Sequence, residues 1–249
     1  MVRCTTLPPT SDLAARKIVS NCNTGVPWVD TSVSYRNANE QRGLSVDLSA
    51  PLASFMNGLD AVALRVVARA GAELTGRQVA RLAGTGTPAN IRLSLLRLVD
   101  IGLVISVPAP HATMFSANRS HILWPAVEVA MSARQELNRR IASFAEANAP
   151  AGVAVALYGS VARGDSNARS DVDLLVIFPD ATGLDSKDIF VTELRNSVQL
   201  WTGNDAQIYD LTTSALTKQR DDGDPMIESW ITDGLIVFGD KILDMRKVP

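Results

Sequence analysis

The spacing of apolar residues changes at Asn148-Ala149-Pro150, and this change limits the available folds more than any other feature. Upstream, from Leu59, apolar side chains recur at the spacing of helices that bury one stripe. Downstream, short apolar runs bounded by turn residues alternate with helical stretches, the pattern of a sheet with flanking helices. The 249 residues, 46% of them hydrophobic, can bury a full core and suit one large or two modest domains. The expectation is a two-domain chain of the α+β or α/β class, helical first and sheet-containing second.

In the helical half, a first helix is expected over residues 60–70, with Val62, Val66 and Val67 on one face and Gly71 as its stop. A second opens at Thr75-Gly76-Arg77-Gln78, where the Thr and Gln side chains can satisfy each other's orphan backbone donors, and ends at Gly84. A third begins at Thr87-Pro88, a capping residue followed by proline at the first helical position, and runs through Ile91, Leu95 and Leu98 to Gly102. Extended runs at 103–107 and 113–116 then flank a Pro-Ala-Pro-His tip. Three helices followed by a β-ribbon is the order of a winged helix-turn-helix.

Charge divides along the same line. Residues 58–120 hold seven Arg against three Asp or Glu, a net of +4, whereas residues 151–249 hold nine Lys or Arg against sixteen Asp or Glu, a net of −7. A basic module is thus joined to an acidic one. In a winged helix the third helix enters a DNA major groove, which makes Thr87, Asn90, Arg92 and Arg97 the expected contacts. The tip at 107–112 has no Lys or Arg to grip phosphates, so a dimerising or substrate-docking role stands at even weight. A homodimer and binding of DNA or RNA both fit such a module.

Pro125 opens an expected long helix with Val129, Ala133, Leu137, Ile141 and Phe144 along one stripe, ended by Asn148 and Pro150. The chain is accordingly divided into a loosely ordered extension (1–45), the winged helix (46–122), a linker helix (123–149) and a sheet-containing domain (150–249). In the extension, Trp28 and Tyr35 could pin the chain to a partner, and Cys4 and Cys22 read as reduced thiols. Neither His111 nor His121 has the spacing of a metal site, and the four tryptophans read as packing anchors. With no signal-peptide pattern and no apolar run near a membrane span, the expected location is the cytoplasm, without membrane association.

Strands are expected at 153–158, 171–178, 206–211 and 235–238, with a helix around 186–200. The stretch Leu157-Tyr158-Gly159-Ser160-Val161-Ala162-Arg163-Gly164-Asp165 has a strand ending in Gly-Ser that turns straight into a helix. Such a turn presents backbone N–H groups and a hydroxyl, and glycine lets a phosphate approach closely. Asp171 and Asp173, two apart in a strand, put both carboxylates on one face, where they can hold hard divalent cations, with Mg²⁺ expected. Two such cations, bridging triphosphate oxygens and activating an acceptor hydroxyl, would serve an in-line displacement at the α-phosphorus. Arg163 could neutralise triphosphate charge or pair with Asp165, and Ser170 joins the nucleotide-binding set.

Gly-Ser-x-Ala-Arg-Gly followed by Ser-Asp-x-Asp-Leu resembles the polymerase-beta-like nucleotidyltransferase superfamily, in its minimal nucleotidyltransferase branch. The wider layout, with Trp201-Thr202-Gly203-Asn204 in the second domain, is similar to bacterial proteins that join a winged helix to such a domain. The resemblance implies a mixed sheet with flanking helices. It also implies transfer of a nucleoside monophosphate, AMP from ATP by preference, to a hydroxyl of a protein, a tRNA or a small molecule, a toxin-antitoxin setting included.

The family supplies a third carboxylate from a later strand, and here Gln207 fits that register best, flanked by Asp205 and Asp210. An amide cannot accept a proton as a base and is a weaker metal ligand. Asp210 is the expected third catalytic group if a bulge or shift brings it, or Asp205, into place. The competing reading keeps the fold without turnover: a DNA-binding regulator whose transferase-like domain senses a nucleotide.

Overall fold

The computed structural model describes residues 45–240, Leu243 and the strand Arg246–Lys247. The expectations for the loose extension, for Cys4 and Cys22 and for Trp28 and Tyr35 lie outside the described residues. Two bodies of core are present in the described chain, one helical and one built on a sheet.

The helical body begins with α1 (Gly58–Arg69), capped by the Asn57 side chain, which accepts from the Leu59 N–H. Its buried stripe is Ala61, Leu64, Val67 and Ala68, so the face is rotated from the expected Val62-Val66-Val67 set and leaves Val62 and Val66 only half-buried. After the short strand β1 (Leu74–Thr75), the Thr75–Gln78 box forms in both directions and starts α2 (Gly76–Ala83). Helix α2 ends on Gly84, in the left-handed conformation. Thr87 caps α3 (Pro88–Asp100), which buries Ile91, Leu95 and Leu98. Strands β2 (Val104–Ala109) and β3 (Ala112–Ala117) pair as an antiparallel ribbon, and β1 adds to β3, giving the order β1-β3-β2. Leu52, Trp124 and Val127 close this core.

The expected single helix after Pro125 is two helices, α4 (Trp124–Met131) and α5 (Ala133–Asn148), divided at Ser132. The break has a packing cause. Helix α4 buries Trp124 and Val127 in the helical core, while α5 buries Leu137, Ile141 and Ala145 against the sheet. One straight stripe cannot serve both, and Val129, which the single-stripe reading placed inside, is 69% exposed. The segment before α1 divides in the same way, with Leu48 in the sheet core and Leu52 in the helical core.

The second body is a five-stranded mixed sheet of order β6-β5-β4-β7-β8, comprising β4 (Ala154–Tyr158), β5 (Val172–Phe178), β6 (Ala206–Thr212), β7 (Leu235–Phe238) and β8 (Arg246–Lys247). Strand β5 runs antiparallel to β4 and parallel to β6, which requires the crossover helix α7 (Leu184–Thr202). Alternate residues of β4 and β5 face α5 and α7, where Phe190, Leu194 and Val198 pack on Leu157, Val172, Leu174 and Val176. The other face, Ala156, Leu175 and Ile177, meets Leu216 of α8 (Thr213–Asp221) and Ile227 and Trp230 of α9 (Pro225–Asp233). No helix among the described residues is long and apolar enough to cross a membrane.

Candidate active site

Strand β4 ends at Tyr158, and the chain turns at Gly159 into the five-residue helix α6 (Gly159–Arg163). Gly159 has φ 70°, and a Cβ there would overlap the Asp173 carboxylate. Glycine is thus required twice, for the left-handed backbone and for the space that Asp173 occupies. Asp173 is reached from the neighbouring strand, since it pairs across the antiparallel ladder with Tyr158. Asp171 lies just before β5 and shares the parity of Asp173, Leu175 and Ile177, so both carboxylates project from the α8/α9 face of the sheet.

Gln207 stands opposite Asp173 on the parallel strand β6 and points to the same face. Its Nε2 donates to Asp171 Oδ2 at 3.5 Å, the outer limit of a hydrogen bond. Pairing between β5 and β6 runs unbroken from Val172↔Ala206 to Phe178↔Thr212, with no bulge or shift. Asp210, opposite Val176, therefore lies on the α5/α7 face, away from the aspartate pair, and the expectation that it joins Asp171 and Asp173 is corrected by the regularity of the strand. Asp205 precedes β6, where its Oδ1 accepts from Gln199 Nε2 at 3.1 Å and its carbonyl accepts from Val172 N–H at 2.8 Å. An amide occupies the third position.

Burial pushes the Asp173 pKa up, the Asp171 charge adds to the shift, and the Arg163 guanidinium partly offsets it. The Tyr158 hydroxyl is also pushed up, first by burial and then by Asp173. Arg163 is not free for a ligand: its Nη1 donates to Asp233 Oδ2 at 2.6 Å and its Nε to Asp165 Oδ2 at 3.1 Å. The expected pairing with Asp165 is thus present, together with a partner from the end of α9 that no local pattern announces.

Ser160 is the second residue of α6, and its carbonyl accepts from Gly164 and Asp165 N–H, closing the turn that follows the helix. Ser170 serves the loop before the aspartates. Its Oγ accepts from Asn167 N–H at 2.9 Å, and its carbonyl accepts from Asn204 Nδ2 at 3.0 Å. Asn204 is 3% exposed and also accepts from Val46 N–H, so it pins the loop that delivers Asp171. The sequence signal for it was Trp201-Thr202-Gly203-Asn204, whose last residue has a positioning task.

The expected nucleic-acid contacts sit on a different body. Thr87 Oγ1 is used as the α3 cap, accepting from Asn90 N–H at 3.2 Å. Arg97 donates to Asp60 through Nη2 at 2.5 Å and Nε at 3.1 Å, and this pair holds the Asp60 carboxyl below its ordinary range. Asn90 and Arg92 stay exposed on α3, beside Leu93 and Leu96, which are 53% and 38% exposed.

The two carboxylates on one face, Asp171 and Asp173, are the groups that could hold Mg²⁺. That ion keeps several waters and is commonly held by one or two carboxylates together with substrate phosphates. Among the described residues no group of three or more His, Cys, Asp or Glu is placed to hold a metal ion.

Residues 138–211 match the family model of the nucleotidyltransferase domain. The match starts within α5 and ends in β6, covering the turn at Gly159, both aspartates and Gln207. No curated protein matches the chain. Among solved structures, a toxin-antitoxin crystallised with AMP-PNP is 19% identical over 42% of this chain and 74% of that one, with a TM-score of 0.31. TrmBL2, an archaeal chromatin protein, is 16% identical over 76% of each chain, with a TM-score of 0.23. At these scores neither similarity fixes the fold.

Proposed function

We propose that the chain transfers a nucleoside monophosphate, AMP from ATP by preference, from a nucleoside triphosphate to a hydroxyl of an acceptor. The observation that carries the reading is Gly159 at φ 70° against the Asp173 carboxylate, which sets a phosphate-accepting turn directly beside an aspartate pair. Gly159 and Ser160 would cradle the triphosphate. Asp171 and Asp173 would hold Mg²⁺, which supplies charge neutralisation to the polyphosphate and activation to the acceptor oxygen. Arg163 tempers the aspartate charge, and Ser170, held by Asn204, sets the position of Asp171.

Burial raises the Asp173 pKa most and the Asp171 charge adds to it, and a divalent cation would relieve that second contribution. Incubation with labelled nucleoside triphosphate, Mg²⁺ and cell lysate should label a protein, tRNA or small-molecule species. Asp171→Ala/Asp173→Ala should abolish the signal; equal labelling by both proteins would refute the proposal.

Gln207 in an unbroken register favours a second reading, in which the domain binds nucleotide without turnover and the winged helix over 58–117 binds DNA. That reading predicts a salt-dependent DNA complex that changes on addition of nucleotide. Failure to enrich any sequence from a random pool at low salt would count against it, and the exposed Leu93 and Leu96 on α3 already favour a protein contact, including a second copy of the chain, at that face.

A further inference from the structure

A cavity of about 230 Å³ lies where the helical body meets the sheet body, lined by Arg65 and Arg69 of α1, Arg134 of α5, Arg163 and Gly164 at the end of α6, and Ser49. No carboxylate is among the residues that line it. Arg163 has Asp165 and Asp233, but the other three arginines have no carboxylate partner among the described residues. Arg65 Nη1 donates only to the Ser49 carbonyl, at 3.3 Å, and Arg134 Nη1 only to the Val161 carbonyl, at 3.4 Å. The Arg69 guanidinium is exposed and donates to nothing among the described residues.

This concentration of charge opposes folding. Arg65 and Arg69 stand four apart on one helix, a like-charge spacing that destabilises it. Gly164, at φ 84°, lacks the Cβ that would fall 2.6 Å from Arg134 Nη1, so the backbone is shaped to admit that guanidinium. Each guanidinium has five donors in a fixed fork that matches the oxygens of a phosphate, and those of Arg65, Arg69 and Arg134 are largely unspent.

We infer that this cavity is a second anion site, which takes a phosphate group at the opposite end of α6 from the Gly159-Ser160 turn. Its volume is below the roughly 300–1,000 Å³ that enclose whole drug-sized ligands, so it fits a phosphate or polyphosphate moiety and leaves the remainder of its bearer outside. Helix α6 spans five residues, about 7.5 Å at 1.5 Å per residue, so the two ends are close enough to contact one extended phosphate-bearing molecule. The source is either the strand of an oligonucleotide or a free polyphosphate.

The test uses the full chain carrying Asp171→Ala/Asp173→Ala, in EDTA, so that the proposed metal site is disabled and the outcome does not depend on nucleotidyl transfer. Calorimetry at low salt should show saturable binding of tripolyphosphate, weakened at least tenfold by Arg69→Gln or Arg134→Gln and largely retained in Arg69→Lys. Arg69 is exposed and makes no contact that folding needs, which keeps the comparison interpretable if Arg134→Gln proves unstable. A 5′-phosphorylated hexanucleotide that binds tenfold more tightly than its 5′-hydroxyl counterpart places a strand end in the site. Equal binding of the two, in competition with tripolyphosphate, places internal phosphodiesters there, and binding of tripolyphosphate alone assigns a free polyphosphate. Absence of tripolyphosphate binding, or binding unchanged by Arg69→Gln, overturns the inference.

Discussion

Gly159→Ala separates the two reasons why this position is glycine. A left-handed backbone is worth about 1–2 kcal/mol against any L-residue with a Cβ. For a chain of this size that corresponds to a fall in melting temperature of roughly 2–8 °C, enough to measure and too little to unfold the protein. The second effect is local: the new Cβ overlaps the Asp173 carboxylate, which must shift from its place. A displacement on the order of 1 Å at a reacting centre can lower a rate about 10²-fold. The expected result is a folded protein with a modest thermal shift and nucleotidyl transfer reduced by about two orders of magnitude. Gly71→Ala is the control, because Gly71 has open space around it and no left-handed backbone. Thermal unfolding by circular dichroism and transfer of labelled nucleotide measure the two effects separately. If Gly159→Ala unfolds with Gly71→Ala and keeps its transfer within twofold, the argument that Gly159 makes room for Asp173 is wrong.

Three further outcomes follow from the same geometry. Gln207→Glu puts a third carboxylate opposite Asp173 and should tighten divalent-cation binding roughly tenfold while destabilising the metal-free protein; Mn²⁺ titration and a melting curve in EDTA decide it. Asp173 holds its proton more tightly folded than unfolded, so stability is lost as pH rises from the ordinary carboxylate range through the raised value, and the deficit is complete above it. Asp173→Asn should therefore raise the melting temperature at pH 7 without metal and leave it unchanged below the ordinary carboxylate range. Asn204→Ala leaves the Ser170 carbonyl and Val46 N–H without that partner and should cost about 1–3 kcal/mol by denaturant unfolding, with a weaker metal site as its second readout.

What was legible in the sequence was local. The Thr75–Gln78 box, the Thr87-Pro88 start and the Gly-Ser turn each act within a few residues, and each forms where the spacing puts it. Gln207 was also readable, because strand parity needs no knowledge of distant parts. The division of the helix at Ser132 was not, since it arises from two cores demanding different faces. Helices α8 and α9 have no counterpart among the expected elements although Asp224-Pro225 carries a start signal, and the same holds for Asp233, whose bond to Arg163 spans seventy residues. The arginine cavity is the extreme case: its members come from three helices and share nothing along the chain but their charge.

The described chain touches the sheet body both before and after the helical body. Val46 N–H donates to the Thr202 carbonyl at 3.0 Å, Ser49 and Ser166 hydroxyls bond at 2.8 Å, and on the far side α5 lies in the sheet core. The helical body over 58–131 is fastened to the sheet body at two roots, the segment at 46–49 before it and α5 after it. A body on one tether explores a sphere, whereas a body with two roots is confined to rotation about the line between them. Force applied to the helical body would be delivered through Asn204 on one root and α5 on the other, that is, through the two supports of Asp171 and the β4–β5 face. Load on the helical body would reach the aspartates as shear.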